Sequence, residues 1–581
     1  MQTAKEIFLE MLRPDAQPER QLRQYEALHM CLYDPINIYL RGNRKRGSVS
    51  KDRWGTTISF PEDAPGAIPM NHGDLAVCGD ITHWRDTVHA PDLASNCTEG
   101  WEECRKKARE AAGNEQLVAG FMGTGIFEQC HFLMGFEPTL TNLYEHPAEM
   151  HELIEYITEY RLRYVKLLID NLQPDVIFSH DDWGTRDALF MKPDMWREFF
   201  KEPYRRFYGY IRSRGCIALH HADSYLVPIV DDMAELGIQV WQGTLPENDI
   251  PALQRHLKGR LVLMGGMGAA IDRSDVSDDE VLAYARRTLK TCCPGGHFIP
   301  CITYGVPGTV FPHVDPLINQ AIDEYNAGLH MPDFHLPPVP RRVLENKVKS
   351  AETAETVSDE SSGDGILDRI SAALCRGQQK KLLTLCEEAL GQGISAQEIL
   401  SEGLIKGMNR LGDDFSASRV FVPEMLIAAR CMTAATALLK PHMLTDGGAS
   451  TAVGSAVIGT VHGDMHDIGK NLVKIMMEGS GIEVYDLGAD VPAEKFVDAA
   501  VEHNCDIIAC SALLTTTMNE MRRVVALADE RGIRDKVKIF IGGAPISQSF
   551  CDEIGADVYS EDAGSAARAA VETLKSCKGG R

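Results

Sequence analysis

Residues 347–364, KVKSAETAETVSDESSGD, carry almost no large apolar side chain, within a chain of 581 residues. Such a run cannot bury enough surface to offset the entropy of ordering it, so it predicts a flexible linker. A chain this long exceeds what one hydrophobic core supports and predicts three or four folding units. The linker separates residues 1–346 from residues 365–581.

Before the linker, short apolar runs alternate with helical stretches. PDVIFSH (174–180), GCIALHH (215–221), GIQVWQG (237–243), RLVLMGG (260–266) and GHFIPC (296–301) predict buried strands, with helices over 194–213 and 274–290. This alternation predicts a parallel sheet with covering helices, a (β/α)8 barrel over 1–346. In a barrel the polar residues at strand C-terminal ends face the active site, here His180, Asp181, His221 and Cys301. After the linker, residues 365–446 read as a helical bundle cap. Pro423 suits the first turn of its last helix, and Gly391 and Gly393 suit a C-terminal stop. The runs AVIGTV, GIEVYDLG, CDIIACSAL, VKIFIGGA and ADVYSED, with helices between them, predict a Rossmann-like doubly wound α/β domain over 447–581.

Charge and composition remove some function classes. The net charge of −24 argues against a nucleic-acid partner, because phosphates need a basic face. The one compact basic run, Arg41, Arg44, Lys45 and Arg46, is too short for nucleic acid and reads as a solvated loop. No stretch reaches about 18 apolar residues, so no membrane span is expected. The opening MQTAKEIFLEMLRPD reads as an amphipathic helix rather than a signal peptide. Sixteen cysteines without paired spacing suggest reduced thiols in a cytoplasmic protein.

The loop after the first strand of the last domain reads Gly459-Thr-Val-His462-Gly-Asp464-Met-His466-Asp467-Ile-Gly469. Ser511-Ala512-Leu513 and Gly542-Gly543 follow in order. These three motifs resemble the signature of methionine-synthase-type cobalamin domains, and residues 365–577 as a whole resemble corrinoid proteins of anaerobic methyltransferase systems. The resemblance implies that His466 is the lower cobalt ligand. Asp464 would accept the other ring N–H and tune the ligand's basicity. It further implies cofactor contacts from Asp467, Gly469, Ser511, Leu513, Thr515, Gly542 and Gly543, the small residues leaving a channel for the nucleotide tail. His462 is expected beside the loop without ligating.

In the first domain, Asp181-Asp182-Trp183-Gly184, Met195-Trp196-Arg197-Glu198-Phe199, ALHHADSYLVPIVDDMAELG and GRLVLMGGM resemble the methyltransferase branch of the uroporphyrinogen-decarboxylase superfamily. That branch commonly holds zinc with His-x-Cys and a distant Cys. Here the positions are His221, Asp223 and Cys301, so a carboxylate replaces the nearer thiolate. All three are competent zinc ligands, and three ligands leave an open catalytic position. Asp223 could instead stand behind the ligands, with Glu247 or His220 substituting; a polar barrel mouth with no metal and a buried Cys301 thiol is the alternative. Exchanging a thiolate for a carboxylate leaves a stronger Lewis acid, suited to polarising an oxygen as its methyl group leaves. His180, Asp181 and Asp182 would bind substrate or donate a proton, or the aspartates would cap the following segment.

The combination resembles fused chloromethane methyltransferases and anaerobic O-demethylase systems. It implies an enzyme moving a methyl group from an O-methyl donor, such as an aryl methyl ether, to the chain's own corrinoid, for onward transfer to a folate or thiol. Expected partners are the small-molecule donor, a second methyltransferase and a corrinoid-reactivating reductase; a homo-oligomer is compatible with the sequence. The alternatives are a methylcobalamin:thiol or folate methyltransferase, a halomethane methyltransferase, and a non-enzymatic cobalamin-binding sensor, for which an output domain would be needed.

Overall fold

The alternation before residue 347 is realised as parallel strands in the computed structural model. It describes residues 2–579 apart from 43, 61–66, 72, 269–270, 273–275, 304–310, 330–364, 418, 446–452, 465–467, 514–516 and 544–545. The expected linker 347–364 therefore lies outside the described residues. The chain divides into two compact units, Met1–Ala351 and Glu352–Arg581.

In the first unit β1 (Leu28–Cys31) precedes a small antiparallel sheet of β2 (Ser48–Lys51), β3 (Thr57–Phe60) and β4 (Ile68–Met70). Then come β5 (Leu117–Met122), β6 (Val176–His180), β7 (Ile217–His221), β8 (Val240–Thr244), β9 (Val262–Met267) and β10 (Phe298–Ile302). The order β1-β5-β6-β7-β8-β9-β10 is all parallel, giving seven strands of a (β/α)8-type barrel among the described residues. Every residue of β7, β8 and β10 is buried, as expected where both sheet faces are covered.

The helix Ala4–Met11 starts on a reciprocal cap. Thr3 N donates to Glu6 Oε2 at 2.9 Å, and Glu6 N donates to Thr3 Oγ1 at 3.2 Å. Its apolar stripe Ala4, Ile7, Phe8 and Met11 packs on Leu117, Val176, Ile217, Val240 and Val262, which begin five of the strands. That plug fills the strand-start end, so the chemistry-bearing side chains collect at the opposite mouth.

In the second unit the helices Ile366–Cys375, Gln379–Gly391, Lys406–Ser416 and Val422–Thr445 form the bundle. Pro423 falls in the first turn of the last one. One expectation needs correcting here. Val422–Leu439 is an 18-residue stretch of mean hydropathy 1.4, long and apolar enough by composition to cross a membrane. The reason for its apolarity is packing: Met425, Ala428, Cys431, Ala435 and Leu439 recur at helical spacing and are buried within the unit. The sheet that follows comprises β11 (Gly454–Thr460), β12 (Ile482–Asp486), β13 (Ile507–Ser511), β14 (Lys538–Gly542) and β15 (Val558–Ser560). Its parallel order β12-β11-β13-β14-β15 reverses direction between β11 and β13, and ligands of such sheets bind at that reversal. The described cysteines are all free.

Candidate active site and cofactor loop

Strand register builds the barrel mouth. His180 pairs with His221, His221 with Gln242, Gln242 with Met264, and Met264 with Ile299, so one rung crosses β6 to β10. The His180 and His221 rings stack with centroids 4.4 Å apart. His221 Nδ1 meets Gln242 Oε1, while Gln242 Nε2 donates to Thr303 O at 3.2 Å. That second bond fixes the amide orientation, so the Gln242 oxygen faces His221 and Nδ1 is the protonated nitrogen. His180 Nδ1 lies 3.0 Å from Glu128 Oε2. Burial works against a charge on His180, yet Glu128, then Asp182 and Asp223, hold its pKa at about 10. Burial, and next the His180 charge, push His221 down to about 3. Two neighbouring imidazoles are thus set to opposite protonation states.

Asp181 and Asp182 part company. The Asp181 carboxylate accepts from Phe127 N at 3.0 Å and Glu128 N at 2.9 Å, capping the helix Ile126–Met134. The residue at the head of that helix, Gly125, has no room for a side chain: an added Cβ would lie 2.0 Å from Asp181 Cγ. Asp181 is therefore a cap, for a helix 53 to 54 positions earlier rather than for the segment that follows it. Asp182 stays in the mouth, where its Oδ1 accepts from Asp223 N at 3.1 Å. Burial raises Asp182 to about 6. Burial, then the Asp182 charge, raise Asp223 well above the carboxylate range.

The expected zinc trio does not converge. Cys301 pairs with Gly266, two residue pairs beyond the His221 rung, which meets β10 at Ile299, and with β8 and β9 between them. Its thiol belongs to the apolar core with Ile299 and Met264, and burial raises its pKa far above the usual thiol value. The two substitutes considered for Asp223 are also engaged elsewhere. His220 points to the other sheet face, bonded to Tyr208 Oη at 2.7 Å and stacked on Trp183, and Glu247 pairs with Arg186 at 2.6 Å. Among the described residues the His, Cys, Asp and Glu side chains grouped closely enough to share a metal ion are His180, Asp182 and His221.

In the second unit the loops after β11 and β13 meet at the sheet reversal. Asp464 is fully buried, and its Oδ2 accepts from Leu513 N at 2.7 Å and Thr517 Oγ1 at 3.0 Å. His462 turns aside to Asp490, 2.8 Å away. A Cβ added to Gly469 would meet no atom of the described residues within 4 Å, whereas at Gly543, with φ +134°, it would lie 1.8 Å from Ala512 O. Leu513 is 45% exposed at the same end of the sheet. Open space at the helix start, a bared leucine and a buried, hydrogen-bonded aspartate fit a large cofactor seated on these strand ends. His466, Asp467 and Thr515 lie outside the described residues.

Three contributors escaped the sequence reading: Glu128, Gln242 and Thr517. Glu128 follows β5, which was not read as a strand. Gln242 was visible as a polar residue closing an expected strand.

Residues 55–313 match the uroporphyrinogen decarboxylase (URO-D) family, and residues 366–440 and 454–572 match two B12 binding domain families. The chain thus joins a region similar to the uroporphyrinogen decarboxylase family to B12 binding domains. The dimethylamine corrinoid protein of Methanosarcina barkeri is 41% identical over 213 residues, 37% of this chain and 99% of that protein. Trimethylamine corrinoid protein 1 of Methanosarcina acetivorans is 39% identical over 203 residues, 35% of this chain and 94% of that protein. Through its C-terminal part the chain belongs to this family of corrinoid proteins. Among solved structures, a cobalamin-binding protein from Desulfitobacterium hafniense is 31% identical, covering 36% of this chain and 97% of that one at a TM-score of 0.31. A chain of the methanol:cobalamin methyltransferase complex from Methanosarcina barkeri is 25% identical, covering 42% and 94% at a TM-score of 0.36.

Proposed function

We propose that the protein is a methyl donor:corrinoid methyltransferase whose barrel binds a small O-methyl compound and whose second unit carries the methyl group away. The observation that carries this reading is the pairing, in one chain, of a polar barrel mouth with a cofactor loop organised by Asp464. When bound, the corrinoid supplies a reduced cobalt centre able to accept a methyl group. Breaking the donor's C–O bond leaves an electron pair on oxygen, which then needs a proton. Asp223 is the candidate donor, because burial and then the Asp182 charge raise its carboxyl well above the usual carboxylate range. An aryl group on the oxygen fits the aromatic wall beside Glu128. There Phe190 lies 5.6 Å from Phe127 and 4.8 Å from Phe136, and Phe136 lies 5.9 Å from His131. His466 would hold the cobalt, with Asp464 and Thr517 setting its tautomer. A folate or thiol acceptor, a second methyltransferase and a reactivating reductase in the cytoplasm complete the scheme.

The relatives' names mention methylamines, but a carrier accepts from whatever its catalytic partner presents, so they leave the donor open. The test is to reduce the corrinoid-loaded chain and follow its absorbance against aryl methyl ethers, methanol, methylamines, halomethanes and methylated thiols. A response led by aryl methyl ethers is expected. A response only to methylated thiols would place the enzyme on the opposite half-reaction, and none to any donor would favour a sensor. His466→Ala should alter the cobalt absorption and electron-spin spectra, and unchanged spectra would remove it as ligand.

A further inference from the structure

The two histidines of the mouth share a feature that a simple hydrogen-bond network does not require. Each has its Nδ1 already committed, His180 to Glu128 Oε2 and His221 to Gln242 Oε1. Each ring is thereby held with Nε2 as the nitrogen left for another partner. Locking Nδ1 on a carboxylate or carbonyl oxygen is how proteins orient imidazoles that bind metals. The ligand atoms of His180, His221 and Asp182 all lie within 4.8 Å of one another. Ligands around a four-coordinate ion at bonds of about 2 Å stand roughly 3.3 Å apart, so small side-chain rotations close the gap.

We propose that His180, Asp182 and His221 hold a divalent cation of the zinc type, through two imidazole Nε2 atoms and one carboxylate, with no thiolate. The strand register supports the choice. His180 and His221 sit on adjacent strands of one rung, whereas Cys301 lies two residue pairs beyond that rung with two strands intervening. Two imidazoles and a carboxylate leave a coordination position open, as in catalytic rather than structural sites. There a cation would withdraw electron density from the donor's heteroatom. Asp223 stays outside the ligand set, its backbone N–H donating to Asp182 Oδ1 at 3.1 Å. Only the cation's role rests on the methyl-transfer reading; binding itself is measured without turnover.

The experiment uses the full chain without corrinoid, stripped by chelator and titrated with Zn²⁺ in a calorimeter, followed by zinc X-ray absorption. About one equivalent per chain, with a nitrogen and oxygen shell and no sulfur, is expected. Asp182→Asn keeps the shape and should weaken binding at least about 100-fold, as should His221→Ala. Glu128→Gln should weaken it about 10-fold through His180, and Cys301→Ser should leave it unchanged. Thermal melts of the stripped variants identify any that fail to fold, and Asp182→Asn carries the test if His221→Ala does. A sulfur shell, loss of zinc in Cys301→Ser, unchanged affinity in Asp182→Asn, or no binding by the wild type overturns the assignment. Zinc bound as described in a chain inert to every donor would sink the methyl-transfer reading and leave the site. Methyl transfer by a zinc-free chain would do the reverse.

Discussion

Asp181 and Asp182 leave β6 on consecutive residues and end in different surroundings. Asp181 serves the backbone of the helix Ile126–Met134, and Gly125 makes the space for it. Gly125→Ala should therefore cost about 2 kcal/mol, the sum of overpacking and a disturbed cap. Asp181→Ala should cost a similar amount. Because the two changes act on one contact, adding Gly125→Ala to Asp181→Ala should cost little more. Denaturant midpoints of the four proteins check this, and strict additivity would refute the shared contact. Glu128, by contrast, works through His180. Glu128→Gln should fold normally yet slow methyl transfer about 10- to 100-fold, seen as a fall in kcat larger than any rise in KM.

The element that matters most in the second unit is the turn from β11 into the helix Ile468–Gly479. Lys470, 3% exposed, bonds both oxygens of Asp486 at the end of β12, at 2.6 and 2.8 Å. Burial is the largest influence on the Asp486 carboxyl and raises it, but the Lys470 hydrogen bond, the Gly488 N–H and the charges of Lys470 and Lys474 together outweigh it and the pKa falls below 3.8. A depressed carboxyl stabilises the fold above its unfolded pKa and loses that contribution as pH falls through the folded value. Lys470→Met should thus destabilise by about 2 kcal/mol near neutral pH, with Lys474 still present to soften the loss. The gap to wild type should narrow below pH 3.8, which melting curves from pH 7 to 3 would show. Thr517→Val removes the Thr517 hydroxyl that donates to Asp464 and should shift the bound corrinoid spectrum without preventing binding.

At the scale of the whole molecule, two compact units share one chain, dividing between Ala351 and Glu352. If the barrel loads the corrinoid of its own chain, the tether replaces a bimolecular encounter with an effective concentration of about a millimolar. Expressed separately as 1–346 and 365–581, the units should each fold, with corrinoid on the second. At about a micromolar of each, methyl transfer should fall at least 100-fold and become proportional to concentration. A rate indifferent to separation would mean that the carrier is loaded by another protein.

Periodicity and motif order were enough to place β6 to β10, all five strands of the second sheet and the bundle helices. Buried strands and amphipathic helices announce themselves locally. The strands β1 and β5 were not legible: one has four residues, and the other, LVAGFM, spends two positions on Ala119 and Gly120. Gly120 is small because Leu168 packs 3.1 Å from where its Cβ would be. Missing β5 hid Glu128, which follows it. Motif order likewise singled out Asp464 and the glycines near it as candidates, since their spacing is a property of one short stretch. Tertiary structure alone decided which mouth residues meet. That Asp181 turns to a helix more than fifty positions earlier, and that His180, His221 and Gln242 share a rung while Cys301 lies two residue pairs further on, depends on strand pairing. Register is set by contacts between segments far apart in sequence, and no local pattern records it.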